Sequence, residues 1–200
     1  MKLIYIFFIL VGIQLINAKL VMVIRHGEKI SDKYSGLSSK GQARADCLIE
    51  AFGSNGIYVS PQKIYAQSTE GKKSTRPRDT VIPLASNLEL NIDLSFRSDD
   101  VKRLAKQIKN SPEEVVLVSW SRDKIDNFAK QFGIKNVSSW DNNTFDEIWM
   151  ITDGVSNYNK STRNSVKPIK TYRGKEGFNI EVVKENIDEC INRITPLYLK

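Results

Sequence analysis

The sequence predicts an α/β protein, a three-layer sandwich in which a mostly parallel sheet carries helices on both faces. Two continuous apolar runs, at 20–24 (LVMVI) and 115–119 (VVLVS), are typical of strands that are buried on both faces. Segments with helical periodicity alternate with these and with shorter strand-like runs, which indicates βαβ units. Such units place helices on both sides of the sheet.

The individual elements follow from short-range signals. The first helix ends at Gly53, because glycine commonly follows a helix C-terminus, and Pro77 is tolerated in the first turn of the second. Ser98 is predicted to cap the third helix, with Asp99 and Asp100 in its first turn. The full prediction is helices at 38–52, 75–88, 98–110, 123–132 and 185–194, strands at 20–24, 64–67, 90–94, 115–119 and 147–151, an edge strand at 178–183, and a loop at 154–177.

The chain is predicted to be one domain, 19–200, preceded by a signal peptide at 1–18. Lys2 precedes an apolar run that ends at Asn17 and the small residue Ala18, which is the pattern of a secretory leader. An uncleaved anchor is the alternative interpretation, but three acceptor sequons also favour export. In a eukaryotic host they predict glycosylation at Asn136, Asn142 and Asn159.

The two cysteines, Cys47 and Cys190, both fall on apolar faces of predicted helices. In an oxidising compartment an even pair suggests one disulfide. Two separate buried thiols are the alternative, because the sequence alone does not show that the two Cα atoms approach each other.

Composition indicates few other partners. The formal net charge of +7 favours anionic ligands, although ordinary solvated lysines also account for it. The basic segment 160–175 is predicted to be a solvated loop, so no nucleic-acid or membrane partner is firmly indicated. With a single histidine and no close pair of cysteines, the sequence predicts no metal site, and no cofactor motif is present.

Polar residues follow several of the predicted strands. In parallel α/β sheets ligands bind beyond the carboxyl ends of the strands, so these residues should share one rim. A histidine there can accept a phosphoryl group, and an arginine can hold it with two hydrogen bonds. A lone histidine is otherwise most often a core or surface residue. The expected rim residues are Arg25, His26, Gly27, Arg76, Arg122 and Asp123.

Three segments carry a resemblance to a known family. LVMVIRHGEK resembles the opening of the histidine phosphatase superfamily, also called phosphoglycerate mutase-like. GLSSKGQARADCL is similar to its Leu-Ser-x-x-Gly-x-x-Gln/Arg-Ala helix, and AQSTEGKKSTRPRDTVIPLA to its Ser…Arg-x-x-x-Thr segment. The resemblance spans most of residues 19–200 and is nearest to small secreted or fungal-type members. It implies a phosphoglycerate mutase-like fold and a phosphohistidine intermediate.

Carried over by position, the resemblance makes His26 the nucleophile, with Arg25 and Arg76 as ligands of the phosphoryl oxygens. Members of this kind have a second histidine after a late strand, whereas here Arg122 stands in its place, followed by the matching Asp123. The proton donor is left open between Asp123, Asp99 and Asp100. The expected substrate-binding set is Arg25, Gly27, Glu28, Arg76 and Arg122.

Two hypotheses of function follow. The first is a secreted phosphomonoesterase, weak because Arg122 replaces the second histidine, that acts on a small phosphorylated substrate without a cofactor. The alternative is a pseudophosphatase that binds a phosphate ester, inorganic phosphate or a partner without turnover.

Overall fold

The computed structural model describes residues 19–31, 33–70, 74–153, 166–174 and 177–199. The expected signal peptide at 1–18 and the sequon asparagine Asn159 lie outside the described residues.

The described chain folds around one mixed sheet. Its strands are β1 (Leu20–Arg25), β2 (Lys63–Ala66), β3 (Ile92–Asp93), β4 (Val115–Trp120), β5 (Glu147–Thr152), β6 (Lys170–Arg173) and β7 (Asn179–Lys184). The strands lie in the order β3-β2-β4-β1-β5-β7-β6. Pairings from β3 to β1 are parallel, and those from β1 to β6 are antiparallel.

Helices cover both faces of this sheet. They are α1 (Ser39–Phe52), α2 (Arg76–Asn87), α3 (Val101–Asn110), α4 (Arg122–Lys130) and α5 (Asp188–Ile194), followed by a 3₁₀ helix (Thr195–Tyr198). Residues of α1, α2 and α5 pack in one apolar core, and residues of α3 and α4 pack in a second. The central strand β1 is buried along its whole length and sends alternate side chains into the two cores. The predicted α/β three-layer class is therefore confirmed.

The first helix begins and ends where the sequence predicts. The Ser38 hydroxyl accepts a hydrogen bond from the Gly41 backbone N–H at 3.1 Å, which satisfies one of the free donors at the start of α1. At the other end the Gly53 N–H donates to the Ile49 carbonyl. Both strong apolar strands, β1 and β4, also lie where predicted.

Several element predictions are wrong. Strand β7 lies between β5 and β6 and is not an edge strand, because β6 forms within the predicted loop at 154–177. The side chains of β6 are mostly exposed and give no apolar alternation to detect. Helix α3 begins at Val101 with Asp100 as its N-cap residue, not with Ser98. The Asp100 carboxylate accepts from the Arg97 N–H at 2.9 Å, so a turn at 97–100 precedes the helix.

Cys47 and Cys190 form a disulfide, with their Cα atoms 5.9 Å apart. It joins α1 to α5, the two helices that pack on the same face of the sheet. No helix in the described part of the chain is long and apolar enough to cross a membrane.

Candidate active site

A cavity of about 510 Å³ opens at the carboxyl ends of β1 and β4. The loop that precedes β5 forms its outer wall. The lining residues are Arg25, Glu28, Lys29, Arg122, Asn142, Asn143 and Phe145. Three of these side chains are cationic and one is acidic, so the cavity suits an anionic ligand.

His26 lies directly after β1, in sequence between Arg25 and Glu28, which line this cavity, although His26 itself is not among the lining residues. Its backbone N–H donates to the Trp120 carbonyl at 3.2 Å, which extends the β1–β4 pairing by one residue. The imidazole Nδ1 lies 2.8 Å from the Gly27 carbonyl oxygen. Because a carbonyl oxygen only accepts, Nδ1 carries the proton and the lone pair is on Nε2. His26 therefore presents the tautomer in which Nε2 can act as a nucleophile.

The surroundings of His26 disfavour its charged form. Burial, together with the charges of Arg76, Arg25 and Lys29, outweighs the raising effect of the Gly27 hydrogen bond and lowers the pKa of the imidazole to about 4. The side chain is 7% exposed. His26 is consequently neutral at physiological pH, which is the reactive form of an imidazole nucleophile.

Helix α2 is attached to the His26 loop through Thr80. The Thr80 hydroxyl accepts from the Gly27 N–H at 2.8 Å and donates to the Arg76 carbonyl at 2.8 Å. The Arg-x-x-x-Thr spacing therefore has a structural reason. It fixes the start of α2, with Arg76, next to the residue that follows His26.

Arg25 has a role that the resemblance did not imply. Its Nη1 donates to the carbonyls of Asn142 at 2.8 Å and Thr144 at 2.9 Å, and its guanidinium lies 3.7 Å from the centre of the Phe145 ring. Arg25 thus holds the loop that walls the cavity while also lining the cavity itself. Burial, reinforced by the charge of Arg122, lowers the pKa of Arg25 to about 10.

The other two arginines occupy different positions. Arg122 is the first residue of α4 and lines the cavity with Arg25. Arg76 is the first residue of α2, and its Nη1 donates to the Tyr34 carbonyl at 2.8 Å. Arg76 is close enough to contribute to the lowered pKa of His26, but it is not among the residues that line the cavity.

None of the three acids considered as proton donors lines the cavity in the described structure. Asp123 is exposed on the first turn of α4. Asp99 forms an ion pair with Lys124 at 2.6 Å, and Asp100 accepts hydrogen bonds at the start of α3. The catalytic role of Asp123 stays a prediction, since it is exposed and only its neighbour Arg122 lines the cavity.

The acidic side chain that does line the cavity is Glu28. Arg44 on α1 donates to both of its carboxylate oxygens, from Nε at 2.9 Å and from Nη2 at 2.8 Å. Burial alone would raise the pKa of Glu28, but these hydrogen bonds and the Arg44 charge outweigh it and hold the pKa below its ordinary value. Glu28 is therefore ionised at neutral pH.

The third nitrogen of the Arg44 guanidinium, Nη1, donates to the carboxylate of Glu185, which follows β7. Glu185 is 1% exposed, and its Oε1 has no hydrogen-bond partner in the described structure. Burial, reinforced by the charges of Glu28 and Asp146, outweighs the lowering effect of Arg44 and raises the pKa of Glu185 to about 7. This Glu28–Arg44–Glu185 network was missed from the sequence, where Arg44 shows only as a charge on the apolar side of α1.

Comparison with known proteins establishes the fold. No protein-family model matches the chain, and no curated protein matches it. The structure is similar to that of a candidate alpha-ribazole-5′-P phosphatase from Escherichia coli strain K-12, at 12% identity and a TM-score of 0.55, over 84% of this chain and 97% of that one. It is also similar to a protein described as mycobacterial hydrolase 2, at 10% identity and a TM-score of 0.51, over 90% of this chain and 98% of the other.

The protonation of His26 can be measured directly, because the sequence contains no other histidine. We expect the single imidazole Hε1 signal in an NMR titration to shift with a midpoint near pH 4, since burial and neighbouring cations disfavour the charged ring. The same signal in urea-unfolded protein should titrate near pH 6.5 and is the control. A folded-state midpoint at 6.5 or above would contradict a buried neutral His26.

Glu185 predicts a second pH effect, on stability. In the folded protein the Glu185 carboxyl keeps its proton up to about pH 7, whereas in the unfolded chain it loses the proton near pH 4.5. Stability should therefore fall as pH rises from about 4.5 to 7, and Glu185→Gln should remove this loss, which is roughly 3 kcal/mol by the usual conversion of pKa differences. Urea unfolding at pH 5 and pH 8 measures it. Exposed Glu181 on β7 provides the control, Glu181→Gln, and an equal effect of Glu185→Gln at both pH values would refute the prediction.

Proposed function

We propose that this chain is a phosphatase-like enzyme of the histidine phosphatase superfamily, acting on a small phosphorylated substrate. The observation that carries the proposal is the buried His26, with its Nδ1 proton directed to the Gly27 carbonyl and its lone pair therefore on Nε2. In the first step Nε2 bonds to phosphorus and the bond from phosphorus to the leaving oxygen breaks. In the second, water bonds to phosphorus, the bond to Nε2 breaks, and inorganic phosphate leaves.

The cavity supplies charge for this reaction. Arg25 and Arg122 line it together with Lys29, so phosphoryl oxygens would lie among three cations. Arg122 is long, always charged and forked, whereas a histidine in its place would be a compact donor. Such a cluster binds the ground-state anion well, and binding the ground state does not accelerate transfer. We therefore expect firm phosphate binding with slow turnover.

A pseudophosphatase is the second candidate function. One observation favours it: Nη1 of Arg25 donates to loop carbonyls, so that part of the guanidinium is engaged before any ligand arrives. Under this hypothesis the cavity binds phosphate or a phosphate ester and His26 is never phosphorylated.

The test of the enzyme is phosphate release from 4-nitrophenyl phosphate. We expect His26→Ala to reduce the rate to the uncatalysed background, because the covalent route needs the imidazole. Asp126→Asn is the matched control and should keep near wild-type turnover, since Asp126 pairs with Lys130 on α4 and does not line the cavity. Activity that survives His26→Ala would exclude His26 as nucleophile, and loss of activity in Asp123→Asn would support the predicted role of Asp123.

Arg122→His tests the explanation for slow turnover. We expect it to raise kcat, by up to about 10²–10³-fold if one transition-state donor is restored, and to weaken phosphate binding measured by calorimetry. If wild-type protein binds no phosphate, the cationic cluster is not a phosphate site. If Arg122→His lowers kcat, the arginine itself is a working catalytic residue.

We also propose export, with residues 1–18 removed as a signal peptide and glycans on the sequon asparagines. Asn136 and Asn142 are exposed, and the Lys19 backbone nitrogen lies 3.1 Å from an Asp153 carboxylate oxygen. A new α-ammonium at Lys19 would form a charge-assisted hydrogen bond there. N-terminal sequencing and glycosidase treatment of protein secreted from a eukaryotic host test these two points. A retained Met1 would refute cleavage of the signal peptide, and a mass unchanged by glycosidase would refute glycosylation.

A further inference from the structure

Helix α1 and its N-cap residue hold Glu28 through both its backbone and its side chain. Its carbonyl oxygen accepts from the Ser38 N–H at 2.8 Å, and Gly41 packs so closely against it that a Cβ at Gly41 would overlap that oxygen. Its carboxylate receives the two hydrogen bonds from Arg44, with Lys40 at 3.6 Å on the outer side. A carboxylate held in this way has a fixed direction at the cavity wall.

The carboxylate also keeps accepting capacity. The two oxygens have four lone pairs in all. Two hydrogen bonds from Arg44 and one from the Glu28 backbone N–H leave at least one acceptor site for a ligand, with Lys40 3.6 Å from Oε1. The side chain is 13% exposed and lines the cavity, two residues after His26. It therefore meets the contents of the cavity, unlike Glu185 at the buried end of the same network.

We propose that Glu28 is the general base of the second half-reaction, which removes the phosphoryl group from His26. This inference rests on the proposed function. As the oxygen of water bonds to phosphorus, one water proton passes to the Glu28 carboxylate and the bond between phosphorus and Nε2 breaks. The imidazole recovers its lone pair, and Glu28 later releases the proton to solvent.

The chemistry of the network fits a base and not an acid. An acid for the leaving group must carry a proton before the first step, but the two Arg44 hydrogen bonds and its charge keep Glu28 ionised. An ionised carboxylate that lines the same cavity as the proposed phosphoryl ligands Arg25 and Arg122 can accept a proton from water as soon as the leaving group departs. Arg44 acts through Glu28 and is a positioning residue, itself held from behind by Glu185.

The competing interpretation is that Glu28 only anchors the loop after β1 by its ion pair. The two interpretations differ in which step fails when the charge is removed. A lost anchor would disturb the position of His26 and slow both steps. A lost base would slow only hydrolysis of the phosphoenzyme, so phosphohistidine would accumulate.

Rapid-quench kinetics with 4-nitrophenyl phosphate separates these outcomes. In Glu28→Gln we expect a nitrophenol burst of wild-type rate and amplitude near one per active site, a steady-state rate lower by about 10²-fold, and accumulated acid-labile phosphohistidine. Glu181→Gln is the matched control, because it removes an exposed carboxylate of β7 outside the network and should leave the ratio of burst to steady state unchanged.

A second variant keeps the test decisive if Glu28→Gln folds poorly. Glu28→Asp keeps the negative charge for Arg44 but shortens the side chain by one methylene, so we expect an unchanged burst and a lower steady-state rate. Equal loss of burst and steady state, or turnover in Glu28→Gln at the wild-type rate, overturns the base assignment while leaving the phosphatase proposal intact. A wild-type enzyme that turns over without forming phosphohistidine overturns both.

Discussion

The guanidinium of Arg44 is the interaction on which the candidate site depends most directly. It is almost completely buried on α1, and it reaches Glu28 at the cavity and Glu185 after β7. Burying a charge is costly, and leaving one partner of such a network unpaired typically costs about 3–5 kcal/mol. Burial would lower the pKa of Arg44, but the two carboxylates outweigh it and raise the pKa, so the arginine remains charged inside the protein.

The candidate site has one neutral ring, the imidazole of His26, with cationic side chains around it. His26 is kept uncharged by burial and by nearby cations, so its Nε2 lone pair stays unprotonated in a positively charged environment. One of those cations, Arg25, also organises the wall of the cavity through the loop carbonyls. The shape of the pocket and its charge are thus coupled, since removing this guanidinium would change both.

The sequence predicted the features that depend on residues close together in the chain. Apolar runs identified β1 and β4, the Ser38 and Gly53 signals identified the ends of α1, and residues after β1 and β4 met at one rim. Features that depend on distant pairing were not predictable. The partly polar β6 forms only against β7, and the partner of Glu28 is a buried arginine on another element. The role of Asp123 stays a prediction, because a match of sequence identifies the residue but does not fix the direction of its side chain.

The disulfide closes a large covalent ring in the chain. Cys47 and Cys190 are 143 residues apart, so the closed ring of chain contains everything from the second half of α1 to the start of α5, including β4, α4 and the wall of the cavity. His26 and Glu28 lie outside that ring, on the segment that precedes Cys47. A protease that cuts the backbone once inside the ring would leave both fragments tethered, and their separation would require a reductant. The nicked protein would migrate at full mass on a non-reducing gel.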